Sequence, residues 1–280
     1  MFHDIKPAHG LVLVAAIVSN FVLITLFTML YAGGMIQPIV DVSNGLIHPT
    51  LILGLPLFVL VVGVVVVWLG RLTPRDAGLE WSRLPSGIAV GLIFWVVVQI
   101  IQLLVGLGGT GKLVLDPVWA EEGVAPILGL LIGMLLGTAL PEEVIFRGFA
   151  VPQLYLKLRD RMPERHTTNL VLAVLVSQVI FSLTHVPNLV LRRDVAWHQL
   201  PGPLLGVLLN GVLYALVYLR TNNLFIAMAV HALGNAPTPL LKTTVETPSL
   251  VFVFTVLLLL TWPVLARQAA LSRRTKHVKG

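Results

Sequence analysis

Residues 126–149 read PILGLLIGMLLGTALPEEVIFRGF, and the fold turns on this stretch. Its first half is apolar enough for the interior of a membrane. Glu142, Glu143 and Arg147 then follow without a change in the hydrophobic character around them. A charged side chain at the bilayer centre costs roughly 2.5–3.5 kcal/mol on insertion scales. Charges kept at such a place need partners, a chemical task, or both.

The rest of the chain has the same character. Its 280 residues are 56% hydrophobic and 11% charged, with a mean hydropathy of +0.91. Soluble domains carry about 25% charged residues. The chain therefore reads as an all-α, polytopic membrane bundle of about eight helices. About 20 apolar residues cross the hydrocarbon core as a helix. On that basis the spans lie near 11–32, 48–69, 86–106, 125–150, 168–187, 203–219, 222–239 and 247–266. Continuous Val/Leu runs fit helices and not alternating barrel strands. The first run is too long for a signal-peptide core and reads as a retained span.

The chain has no cysteine, which excludes disulfides, thiolate nucleophiles and Cys-ligated metal. Its balance is basic, with a sequence pI near 10.0. Nucleic acid is not the implied partner, because the basic residues sit in short loops and a tail, where topology and anionic lipid account for them. With the N-terminus inside, 14 of the 19 Lys and Arg residues fall in inner segments. Only Lys112, Arg192, Arg193 and Lys242 fall in outer loops, and Arg147 lies within a span. This asymmetry predicts a multi-pass cell-membrane protein with both termini cytoplasmic.

One glycine-rich match is a decoy. Residues 106–112 read GLGGTGK, but Leu113 stands where a phosphate-binding loop needs Ser or Thr. No strand is expected before it, so it reads as a connection.

Three polar points fall within the later spans. Glu143 and Arg147 are four apart and share a helical face, so they can pair. Glu142 sits about 100° around the helix and has no such partner. It is the carboxylate expected to face a cavity. In FSLTHVPN, Phe181 and His185 are four apart; in HALGN, His231 and Asn235 are four apart. Singly, each point is explained as packing. Together they place two carboxylates, two imidazoles, an amide and a guanidinium in one membrane-embedded cluster, which is a functional site by default.

That set suffices for hydrolysis without Ser or Cys. A carboxylate in apolar surroundings can serve as general base. One imidazole can hold the water, while the second and an amide can donate to an oxyanion. Two His and one Glu are also a zinc-binding combination, so the residues leave metal-free and metal-assisted hydrolysis both open. The H-E-x-x-H, G-x-S-G and G-x-G-D motifs of other intramembrane proteases are absent.

In order along the chain, EEVIFR, FSLTH and HALGN match E-E-x-x-x-R, F-x-x-x-H and H-x-x-x-N. The chain thus resembles the CAAX protease and bacteriocin-processing family, also known as type II CAAX prenyl endopeptidases or the abortive-infection family. The resemblance covers roughly 125–240, a catalytic core of four helices. Residues 1–124 form three further helices and an outer loop, and 241–280 a last helix with a basic cytoplasmic tail. The resemblance implies an eight-helix fold and a glutamate-dependent intramembrane endopeptidase. It assigns water activation to Glu142 and His185, the oxyanion site to His231 and Asn235, and supporting roles to Glu143, Arg147 and Phe181. It implies a peptide or protein substrate, with lipids around it and no obligate cofactor. If a metal is used, His185, His231 and Glu142 would hold it.

Two other classes fit a buried polar cluster: a transporter with a proton relay, and a non-catalytic immunity or scaffold protein. Substrate identity does not follow from the sequence. The depth count places Glu142 and His231 near mid-membrane and His185 toward the outer end of its helix. The family leads one to expect access from the cytosol, so the side on which the site opens is undecided. Pro141, Pro152 and Pro187 are candidate helix breaks.

Overall fold

The computed structural model describes residue 2 and residues 4–278. Among the described residues, seven helices are long and apolar enough to cross a membrane, and a shorter apolar helix joins them. They are α1 (Gly10–Ala32), α2 (Pro49–Leu69), α3 (Trp81–Gly109), α4 (Val124–Arg161), α5 (His166–Leu191), α6 (Pro201–Thr221), the short α7 (Leu224–Asn235) and α8 (Thr247–Val264). The last helix continues as backbone to Val278. Lys279 and Gly280, the end of the expected basic tail, lie outside the described residues. The chain is a multi-pass membrane protein. Its lipid-facing surface is apolar, with Leu26, Leu92, Leu104 and Leu209 exposed.

Two ends of the bundle can be told apart by their contacts. At one end the N-terminal segment is tied down. Lys6 Nζ donates to the Arg71 carbonyl, Lys157 Nζ to the Ala8 carbonyl, and Gln153 Nε2 to the Lys6 carbonyl. Arg83 donates to the Asn222 carbonyl at the same end. At the other end Arg192 stacks on Tyr31, 4.4 Å from its ring centroid. There the loop around Leu115 pairs with Leu241. The helices alternate between these ends, so the segment before α1 and the end of α8 belong to the first.

The expected seventh span, 222–239, is a helix only as far as Asn235. Twelve residues rise about 18 Å, short of the roughly 30 Å hydrocarbon core. Pro237 and Pro239 stop the helix, because neither can donate a backbone hydrogen bond. Beyond it the chain runs as irregular backbone, with Thr238 at φ +43°. Irregular backbone is tolerated at membrane depth only when protein satisfies it, and here it does. Trp95 Nε1 donates to Thr238 Oγ1 (2.9 Å), and Leu240 N–H to Gln99 Oε1 (2.9 Å). Trp119 Nε1 donates to the Pro239 carbonyl (2.7 Å), and Asp116 N–H to that of Leu240 (3.0 Å).

Residues 106–109 are the last turn of α3, which Gly111 ends with φ +66°. The glycine-rich match is thus a helix C-terminus, with no strand before it.

Helix α4 is the axis of the site. Its hydrogen bonds widen to the i→i+5 register over Gly133–Ala139 and Glu143–Ala150, flanking Pro141 and Glu142. Such π segments recur at functional sites. Pro141 therefore lies in a continuous but distorted helix. In α5 the backbone turns at Thr184 and His185 before Val186 restarts the helix, with Pro187 in its first turn. A proline there is favoured because its missing N–H would be unpaired in any case.

Candidate active site

The two adjacent carboxylates have different surroundings. The Glu143 side chain is fully buried and lies 3.2 Å from Arg147 Nη1, whose side chain is also fully buried. Glu142 faces a cavity and retains 18% side-chain exposure. The 100° step around one helix produces this split.

Arg147 is held on three sides. Its Nη2 donates to the Gly211 carbonyl at 3.2 Å. Its guanidinium lies 4.1 Å from the Phe181 ring centroid. Glu143 supplies the opposite charge. A desolvated cation over an aromatic face contributes about 2 kcal/mol.

Glu143 also reaches α7, where its Oε1 is 2.8 Å from His231 Nδ1. The ion pair therefore anchors His231 rather than Glu142. With Glu143 ionised, Nδ1 carries a proton and donates it, which directs Nε2 away from Glu143. That nitrogen lies 3.7 Å from Glu142 Oε2. The opposite face of the imidazole is covered by Tyr214, stacked at 4.4 Å between centroids and tilted by 19°.

His185 sits at the break in α5. Its Nδ1 is 3.0 Å from the Phe181 carbonyl, which has been freed by that break. Its ring packs edge-on to Phe181 at 4.7 Å. Phe181 thus touches both Arg147 and His185, and a third aromatic, Phe146, at 5.1 Å.

Glu142, Phe181, His185, His231 and Asn235 all line one cavity of about 390 Å³. Asn235, at the end of α7, is exposed. Glu143 and Arg147 lie behind the wall and do not line it. Three helices far apart in sequence converge here as their motifs require. Glu142 also lines a smaller adjoining chamber of about 150 Å³ between α1, α2 and α4. A separate groove of about 670 Å³ on the other side of α7 is almost wholly apolar, bounded by α3, α4 and α7.

Several residues of the cavity wall carry no motif. Asn210 and Tyr214 are four apart on α6, and Thr138 precedes Glu142 by one turn. The spacing of Asn210 and Tyr214 in an otherwise apolar helix was an available signal, of the same kind as His231 and Asn235. Asn188, Arg192 and Arg193 line the cavity at the far end of α5; loop residues of this kind have no periodic signature.

Among the described residues, no group of three His, Asp or Glu side chains is placed to hold a metal ion. His231 Nδ1 is engaged by Glu143, which leaves Nε2 as the nitrogen that faces the cavity.

Neither the comparison with curated proteins nor that with solved structures gave a significant match. Residues 124–237, the stretch that holds every one of these site residues, match the family described as Type II CAAX prenyl endopeptidase Rce1-like.

Proposed function

We propose that this protein is an intramembrane endopeptidase in which Glu142 activates water against a peptide carbonyl. The observation that carries the reading is the division between the carboxylates: Glu143 is occupied by Arg147 and His231, while Glu142 faces the cavity. The match of residues 124–237 to a peptidase family supports it.

The chemistry follows from the wall. Glu142 takes a proton from a water that His185 helps to hold. The water oxygen bonds to the carbonyl carbon, and the carbonyl oxygen becomes an oxyanion. The Asn235 amide donates to that oxygen, and so does His231 Nε2. Donation from both nitrogens of His231 requires the imidazolium form. That form brings two carboxylates, one guanidinium and one imidazolium to overall neutrality. Collapse of the intermediate breaks the C–N bond, and Glu142 returns its proton to the leaving amine. Burial strengthens each of these interactions relative to water. No cofactor is needed for these steps. Prolonged chelation should leave the rate unchanged, and restoration by zinc after chelation would require a metal-assisted route.

The substrate can be found by comparing membrane-fraction proteomes of cells carrying wild type and Glu142→Gln. Fragments present only with wild type identify it. On that substrate, purified Glu142→Gln of native fold should be inactive, and Asn235→Ala should lose about 10²–10³ in kcat, the usual cost of one oxyanion donor. Undiminished cleavage by Glu142→Gln would remove Glu142 from catalysis.

A further inference from the structure

We infer that the cavity opens on the non-cytoplasmic side of the membrane, so that the substrate is a peptide segment presented from outside. The inference rests on the endopeptidase reading for what enters the cavity, but its geometry stands without it.

The cavity has one direction. Its floor holds Glu142, Phe181 and His231, and its far wall holds Asn188, Arg192 and Arg193. Arg192 touches Tyr31 at the end of α1. The adjoining chamber follows the same course along α1, from Asn20 to Tyr31. Eleven residues of helix are about 16 Å, so the floor lies near mid-membrane.

The other direction is closed. Below Glu142, toward the end that holds the N-terminal segment, Val144, Ile145, Phe146 and Phe149 are 0–1% exposed. Ile226 and Val230 of α7 and Val217 of α6 are fully buried beside them. This layer is tightly packed.

Charge then orients the bundle. The closed end carries Lys6, Arg71, Arg75, Arg83, Lys157, Arg159, Arg161, Arg165 and Arg220, before any of the C-terminal tail is counted. The end where the cavity opens carries Lys112, Arg192, Arg193 and Lys242. An excess of Lys and Arg in short loops marks the cytoplasmic side. The closed end is therefore cytoplasmic, and the mouth faces outward.

The natural absence of cysteine allows a direct test. Three single-cysteine proteins would be made in the full chain. Trp197→Cys reports the end bearing the mouth, Asn210→Cys the cavity wall, and Pro163→Cys the closed end. All three positions are exposed. A membrane-impermeant maleimide added to intact cells should label positions 197 and 210, and position 163 only after permeabilisation. The opposite pattern would overturn the orientation. Labelling at 197 without labelling at 210, before or after permeabilisation, would overturn the open path. Labelling does not depend on hydrolysis. Correct labelling with an active Glu142→Gln protein would refute only the catalytic reading. A wild-type-dependent cleavage site in a cytosolic segment would refute the outward presentation.

Discussion

Replacing Arg147 by Met should destabilise the protein strongly, and removing Glu143 as well should restore most of the loss. Arg147 Nη1 and Glu143 Oε1 are 3.2 Å apart with both side chains fully buried. At an effective dielectric near 20, that separation corresponds to roughly 5 kcal/mol of attraction. Taking away one partner leaves the other charge buried and uncompensated, at a cost of about 3–5 kcal/mol. Replacing both by apolar groups removes that penalty, so Glu143→Leu with Arg147→Met should fall within about 1 kcal/mol of wild type. Activity should not recover with stability, because His231 Nδ1 loses the acceptor that holds it. The double variant is expected to cleave at least about tenfold more slowly, equivalent to 1.4 kcal/mol. The six tryptophans report unfolding by fluorescence during denaturant titration in detergent, and with the Glu143→Leu single variant the four proteins form a double-mutant cycle. An Arg147→Met protein within about 1 kcal/mol of wild type would refute the reasoning, as would a double variant no more stable than the single one.

Tyr214→Ala should lower kcat roughly 2- to 10-fold by removing about 0.5–1.5 kcal/mol of stacking on His231, while Tyr214→Phe should stay near wild type; equal rates for both would separate the ring from His231 positioning. Gly54→Ala should cost about 1–3 kcal/mol or more in the same denaturant titration, because a Cβ there would fall on the Gly137 carbonyl oxygen where α2 crosses α4. Asp76, between α2 and α3, gives a pH dependence of stability. Burial pushes its carboxyl up, but the Lys6 and Thr73 N–H groups and the Thr73 hydroxyl outweigh that and hold it below the usual value. A depressed folded pKa means that the unfolded chain binds the proton more readily. The contribution is complete above about pH 3.9, the unfolded value, and is lost as pH falls through the folded one. Melting temperatures of wild type and Asp76→Asn should therefore differ near neutral pH and converge in acid; a constant gap would contradict the assignment.

The seven long spans, the order of the motifs and the separate fates of Glu142 and Glu143 were legible in the sequence. Hydropathy and helical periodicity are local properties, and each needs only a window of residues. A carboxylate pair one position apart must point in two directions on a helix, so one was bound to lie with Arg147 and the other elsewhere. The half-length of α7 was less legible. Its 222–239 stretch is mostly apolar, and the irregular chain past Asn235 is bonded by Trp95, Gln99 and Trp119, which arrive from other segments.

The partner that Glu143 takes beyond Arg147 is a matter of tertiary packing. His231 lies 88 residues away, and no spacing rule links two helices at that distance. The same holds for the Tyr214 stack and for the direction of the cavity, which depends on how tightly the residues below Glu142 pack. That polar groups gather inside the membrane follows from the order of residues alone, because isolated charges there are too costly to keep. Which of them stand in the wall and which stand behind it follows from packing, because a side chain's exposure depends on the helices around it and not on its neighbours in sequence.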